Sequence, residues 1–132
     1  MPSPSAARIT PPLQVSEEKY SATLIRDPFG YRVQLRGTIS TVAPGSVLNP
    51  FVDAVHDTLF KAGAGEVKVD MTDLEFCNSS GFKSFIYWVE RIRSLPEERR
   101  YRLAFLSNPA RRWQRTSLLA LSCYGVESIV IK

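Results

Sequence analysis

The chain has 132 residues, 44% of them hydrophobic and 23% charged, and a formal net charge of +4. That length and balance suit one globular domain and leave no room for two. No run approaches the roughly 18 uninterrupted apolar residues of a membrane span, and the opening MPSPSAARITPP lacks the apolar core of a secretory signal. Only two cysteines occur, Cys77 and Cys123, with no CxxC pair and no histidine nearby. This argues against a zinc site or a disulfide scaffold and fits a reducing cytoplasm.

Four of the nine prolines fall within the first 12 residues, so residues 1–18 read as a flexible Pro/Ser leader to a domain spanning 19–132. SATLIR (21–26) and YRVQLRG (31–37) are strand candidates joined by Asp27-Pro28-Phe29-Gly30, a type I turn pattern that predicts a hairpin. In the second strand Tyr31, Val33 and Leu35 alternate with Arg32, Gln34 and Arg36, as in a sheet with one wet face. Asn49-Pro50 predicts a helix start, with Asn as cap and Pro at the first helical position. From there Phe51, Val52, Val55, Leu59 and Ala62 share a face, His56 lies at its boundary as a surface residue, and Phe60 points away. EVKVDM (66–71) predicts a strand ending near Leu74.

From about Ser80, Phe82, Phe85, Ile86, Val89 and Ile92 recur at helical spacing. YRLAFLS (101–107) reads as a buried strand, RRWQRTSLLALSCYG (111–125) as a helix closed by Gly125, and SIVIK as a last strand. The order is ββαβαβαβ, an α/β domain with an N-terminal hairpin joined to a mostly parallel sheet. Positive charge is concentrated: eight arginines and only two acids, Glu97 and Glu98, lie between Arg91 and Arg115. Such a segment suits nucleic acid or an anionic surface. It also suits a plain solvated face, because no stacking pattern or nucleic-acid motif accompanies it.

The junction FCNSSGFKSF (76–85) places two serines and a glycine between a strand and a helix. Backbone amides of a first helical turn lack intrahelical partners and favour an anion. Asn and Ser also serve there as ordinary caps, and Gly allows close packing. No GxSxG, Walker loop, GxGxxG or HExxH occurs, and no cofactor motif is present. Cys77 beside the helix start reads as a buried thiol rather than a nucleophile, and the chain reads as a binding protein, not an enzyme.

The run VKVDMTDLEFCNSSGFKSF, the following helix, YRLAFLSNPA, a helix ending in YG and the terminal VESIVIK resemble the STAS domain of anti-sigma factor antagonists over about residues 20–132. Gly37 at the end of the second hairpin strand fits the same pattern. The resemblance implies a STAS-like fold and a cytoplasmic signalling role by partner switching, in which the unmodified protein binds a serine kinase that doubles as an anti-sigma factor. Phosphorylation by that kinase releases it, and a PP2C-type phosphatase reverses the step. Carried across, Ser79 is the phosphate acceptor, with Ser80 as the alternative, and Gly81 is the close-approach position. Asn78, Ser79, Ser80, Gly81, Lys83, Tyr87 and Trp88 form the expected partner-binding set, Tyr87 and Trp88 as exposed aromatics on the helix.

Two departures stand out. The family reads Asp-Ser-Ser-Gly where this chain has Asn78-Ser79-Ser80-Gly81, and many members carry an acid after the strand glycine where this chain has Gly37-Thr38-Ile39-Ser40. Two other readings remain: a STAS docking subunit that is never phosphorylated, which Asn78 fits, and a basic domain for nucleic acid or an anionic surface.

Overall fold

The computed structural model describes residues 13–132. Six strands form one sheet in sequential order: β1 (Gln14–Ser16), β2 (Tyr20–Asp27), β3 (Gly30–Ile39), β4 (Glu66–Cys77), β5 (Arg102–Leu106) and β6 (Ile129–Ile131). β1, β2 and β3 pair antiparallel; β3 through β6 pair parallel. The connections are α1 (Gly45–Ala62), α2 (Ser79–Arg93) and α3 (Arg112–Ser122). The α/β class and the order anticipated from sequence hold, with one strand added at the front.

That strand corrects the extent of the leader. Val15 pairs with Ala22 and is 1% exposed, so Gln14–Ser16 belongs to the sheet. Residues 1–12 of the expected leader lie outside the described residues.

Each parallel connection steps one strand in the same direction across the sheet. Right-handed crossovers then put all three helices on one face. Burial agrees: Ala22, Leu24, Val33, Leu35, Val67, Val69, Leu103 and Phe105 form the floor of the core. Arg32, Gln34, Lys68 and Asp70, in register on the opposite face, do not join it. The hairpin forms as anticipated, Asp27 pairing with Gly30 across a two-residue turn.

β4 runs to Cys77, beyond the expected end near Leu74. Its pairing with β3 slips by one residue between Gln34 and Arg36 and again between Gly37 and Thr38. Its buried residues are accordingly spaced by two and then by three: Val67, Val69, Met71, Leu74, Cys77. Each bulge inserts an unpaired residue and bends the strand. The first is held by Asp70, whose Oδ1 accepts from the Thr72 amide at 3.0 Å and its hydroxyl at 2.6 Å.

α1 starts at Gly45, one turn before the predicted Asn49 cap, and Pro50 sits inside it. An interior proline costs about 3 kcal/mol. The added turn buries Val47 and Leu48, each worth about 1.5–3 kcal/mol, so burial wins. Ala62 is exposed rather than on the core face.

α2 buries Gly81, Ser84, Phe85, Trp88, Val89 and Ile92, leaving Phe82 and Ile86 half-buried. The stripe is therefore turned toward Trp88 relative to the predicted one, because the indole N–H finds the Tyr101 hydroxyl at 2.8 Å. Tyr101 Oη also lies 2.6 Å from Nδ1 of His56, which is buried on α1 rather than at the surface.

Candidate functional site

The candidate site is the β4–α2 junction. Asn78 has extended backbone and caps α2, its Oδ1 accepting from the Gly81 amide at 2.8 Å. Its Nδ2 donates to the Thr41 carbonyl at 2.9 Å, and its amide donates to the Ile39 carbonyl at 2.9 Å. The side chain thus starts the helix and pins the loop after β3, while the backbone amide stays tied to the end of β3.

Gly81 is buried in the first turn, and a Cβ there would stand 2.6 Å from Cys77 Sγ and 2.9 Å from Ile39 Cγ2. Its predicted close approach is real, but it faces the core and not a partner. Gly37 is required for a similar reason: its φ is 91° and a Cβ would meet the Lys19 carbonyl oxygen at 2.1 Å.

Ser79, the first residue of α2, is exposed, and Ser80 is half-buried. No acid occupies the first turn of α2. Lys83, one turn on from Ser79, is exposed. An anion on Ser79 therefore meets the positive end of a helix dipole and a lysine at i+4. At the end of β3, Thr38 Oγ1 donates to Glu75 Oε2 of the neighbouring strand at 3.4 Å.

Two of the expected partner contacts change. Trp88, read as exposed, is 1% exposed and bonded to Tyr101, so its ring belongs to the core. Tyr87 is half-buried, and its hydroxyl donates to Asp53 Oδ1 of α1 at 2.6 Å. That hydrogen bond, with burial, raises its pKa above the ordinary tyrosine range. Arg91 reaches the same carboxylate at 3.4 Å, so Tyr87 is a strut between the two helices. Phe60, read as pointing away, is half-buried beneath the Arg99 guanidinium, 4.1 Å from its ring centre.

Other apolar residues flank the junction instead. Phe76 points out of the β4 end at 47% exposure, and Val42, next to the pinned Thr41, is 97% exposed. Phe76 and Phe82 each place a ring 6.2 Å from Trp113 of α3, whose indole donates to the Glu75 carbonyl at 2.9 Å. The sequence signal for Phe76 was strand alternation beside inward Cys77; Trp113 carried none, since it approaches from another helix.

The site lacks the chemistry of a nucleophile. Burial pushes the Cys77 thiol up to about 12, so it is neutral at physiological pH. His56 is held by Tyr101 and does not line the junction. Among the described residues, no group of three or more His, Cys, Asp or Glu is placed to hold a metal, and no helix is long and apolar enough to cross a membrane.

The fold is that of solved STAS-like structures. Similarity is found to an anti-sigma factor antagonist from Mycobacterium paratuberculosis, with a TM-score of 0.59 and 16% identity over 87% of this chain and 88% of that one. It is also found to an antisigma-factor antagonist STAS domain from Rhodobacter sphaeroides, with a TM-score of 0.42 and 12% identity over 68% of this chain and 88% of that one. No family model and no curated protein sequence matches the chain.

Proposed function

We propose that this STAS-like domain is a cytoplasmic regulatory module of the anti-sigma factor antagonist kind, docking through the β4–α2 junction and controlled by phosphorylation of Ser79. The observation that carries the reading is the placement of the Ser79 hydroxyl: exposed, on the first residue of a helix whose opening turn holds no acid. A kinase can reach it, and the fold tolerates what the kinase adds.

The energetics separate the two consequences. A phosphate adds about −1.5 to −2 charges. At this helix end it is stabilised by about 0.3–1 kcal/mol. Pressed against a partner whose surface fits Phe76, Val42 and the half-buried Phe82 and Trp113, the same charge loses its hydration and costs several kcal/mol. Docking fails before the fold does. The partner is a serine kinase of the anti-sigma type, and a PP2C-type phosphatase restores the unmodified state. Ser80, half-buried, is the poorer acceptor.

The test is a comparison of tagged wild-type, Ser79→Ala, Ser79→Asp and Ser80→Ala chains in native lysate, with quantitative identification of captured proteins and intact-mass analysis of the bait. A kinase-type partner is expected on wild type, Ser79→Ala and Ser80→Ala and depleted on Ser79→Asp, with phosphate absent only from the Ser79 variants. Equal capture by Ser79→Asp overturns the switch. A never-modified docking subunit would show capture with no phosphate on any bait.

A further inference from the structure

The geometry points to a second, separate site: a cleft at the C-terminal ends of β5 and β6 that binds a small phosphate monoester with an apolar body. The cleft has a volume of about 710 Å³, within the range of small-molecule pockets. It opens where both strands end and α3 begins, the edge at which open α/β sheets bind ligands.

Its charge is one-sided. Arg111, Arg112, Arg115 and Lys132 line it, and no Asp or Glu does. Neither of the ion pairs found among the described residues, Arg36–Asp73 and Arg91–Asp53, involves these four. Nε of Arg111 is shielded from solvent and has no hydrogen-bond partner. No protein group accepts from this nitrogen, and the Arg111 charge adds to those of the exposed Arg112, Arg115 and Lys132. The first turn of α3 adds to the same field: no acid lies in it, and no side chain caps it.

The cleft is also built in advance. Asn108 donates from Nδ2 to the Thr72 carbonyl at 3.1 Å, and its amide donates to Gln114 Oε1 at 2.7 Å. Gln114, 0% exposed, donates in turn to the Met71 and Leu74 carbonyls at 2.7 and 2.9 Å. Ser107 Oγ donates to the Lys132 carbonyl at 3.1 Å, fixing the end of β6 beside the loop. Beside the cations, Leu119, 52% exposed, and Ile131 give an apolar part of the lining. Four cations with no acidic side chain among them favour a ligand of at least two charges; a phosphate monoester carries them in one group that fits an arginine fork. The apolar lining calls for a hydrophobic body, and a cleft of this volume for a small molecule over a polymer.

Isothermal titration calorimetry of the full chain at about 150 mM salt, where exposed charges are screened beyond about 8 Å, tests this with phenyl phosphate, inorganic phosphate, citrate and a short DNA duplex. Phenyl phosphate is expected to bind one saturable site, more tightly than inorganic phosphate and citrate. Arg111→Gln and Arg115→Gln each weaken it about tenfold or more. Arg102→Gln, the same charge change at the opposite end of β5, leaves it within about twofold. Phenyl phosphate also raises the unfolding midpoint of wild type and of Arg102→Gln, but not of Arg115→Gln. Because Arg115 is exposed, that variant stands if Arg111→Gln fails to fold.

The assignment is overturned by absence of saturable binding or by an equal loss in Arg102→Gln. Citrate binding more tightly would overturn the phosphate assignment, and DNA binding most tightly would mark an extended basic face instead.

Discussion

The side-chain amide of Asn78 is bonded at both ends, Nδ2 to the Thr41 carbonyl at 2.9 Å and Oδ1 to the Gly81 amide at 2.8 Å. Aspartate satisfies only the second of these, since a carboxylate accepts and cannot donate. The asparagine that departs from the resembled Asp-Ser-Ser-Gly pattern thus belongs with the conformation of the loop after β3.

Asn78→Asp is expected to keep the cap and lose the tether. A lost hydrogen bond costs about 0.5–1.5 kcal/mol, and a carboxylate at the helix start returns about 0.3–1 kcal/mol, so the net loss is within about 1 kcal/mol. Asn78→Ala removes both bonds and costs about 1–2 kcal/mol through the cap alone. Urea unfolding of the two variants checks the order. Equal losses would show that the bond to the Gly81 amide contributes nothing, and no loss in Asn78→Asp that the bond to Thr41 contributes nothing.

Gly81→Ala is expected to destabilise by about 1–3 kcal/mol, the cost of overpacking, because the new methyl group meets Cys77 Sγ at 2.6 Å and Ile39 Cγ2 at 2.9 Å. Cys77→Ala removes the nearer obstacle. The double variant should therefore be more stable than the sum of the two single losses, read from a double-mutant cycle of denaturation midpoints.

These two residues also mark how far the sequence could be read. The NSSG pattern located a helix start, and alternation of Tyr31, Val33 and Leu35 located a strand, since both signals are local. What was illegible depends on distant parts of the chain. Trp88 looked exposed because nothing in its own helix reveals Tyr101, and Tyr87 looked free because Asp53 comes from α1. β4 appeared to end early because two bulges replaced the two-residue period with spacings of three. Residues 14–16 read as leader because three residues just after a proline-rich run give no periodicity, whereas β2 supplies them an edge to pair with.

The buried His56–Tyr101–Trp88 cluster makes stability pH-dependent. The Trp88 indole donates to Tyr101 Oη at 2.8 Å, and Oη lies 2.6 Å from Nδ1 of His56, which accepts the hydroxyl hydrogen when the neutral imidazole carries its proton on Nε2. The His56 pKa is lowered from 6.5, first by burial and then by Arg91, against the opposing pull of Asp57 and Asp53. The unfolded chain therefore binds the proton more readily, and stability falls as pH drops below about 6.5 toward the folded pKa. His56→Gln should flatten this part of a stability–pH curve measured between about pH 5 and 8. An unchanged slope would remove His56 from the account. Tyr101→Phe strands two buried groups and should cost about 1–3 kcal/mol or more.

The most direct test of the switch compares the chain phosphorylated at Ser79 with the unmodified chain, measuring the thermal midpoint by circular dichroism and the affinity for the captured kinase-type partner. The account predicts an unchanged spectrum, a midpoint equal to or slightly above that of the unmodified chain, and affinity lowered at least about a hundredfold, the equivalent of roughly 2.7 kcal/mol. Loss of the native spectrum, or undiminished affinity for the partner, would contradict it.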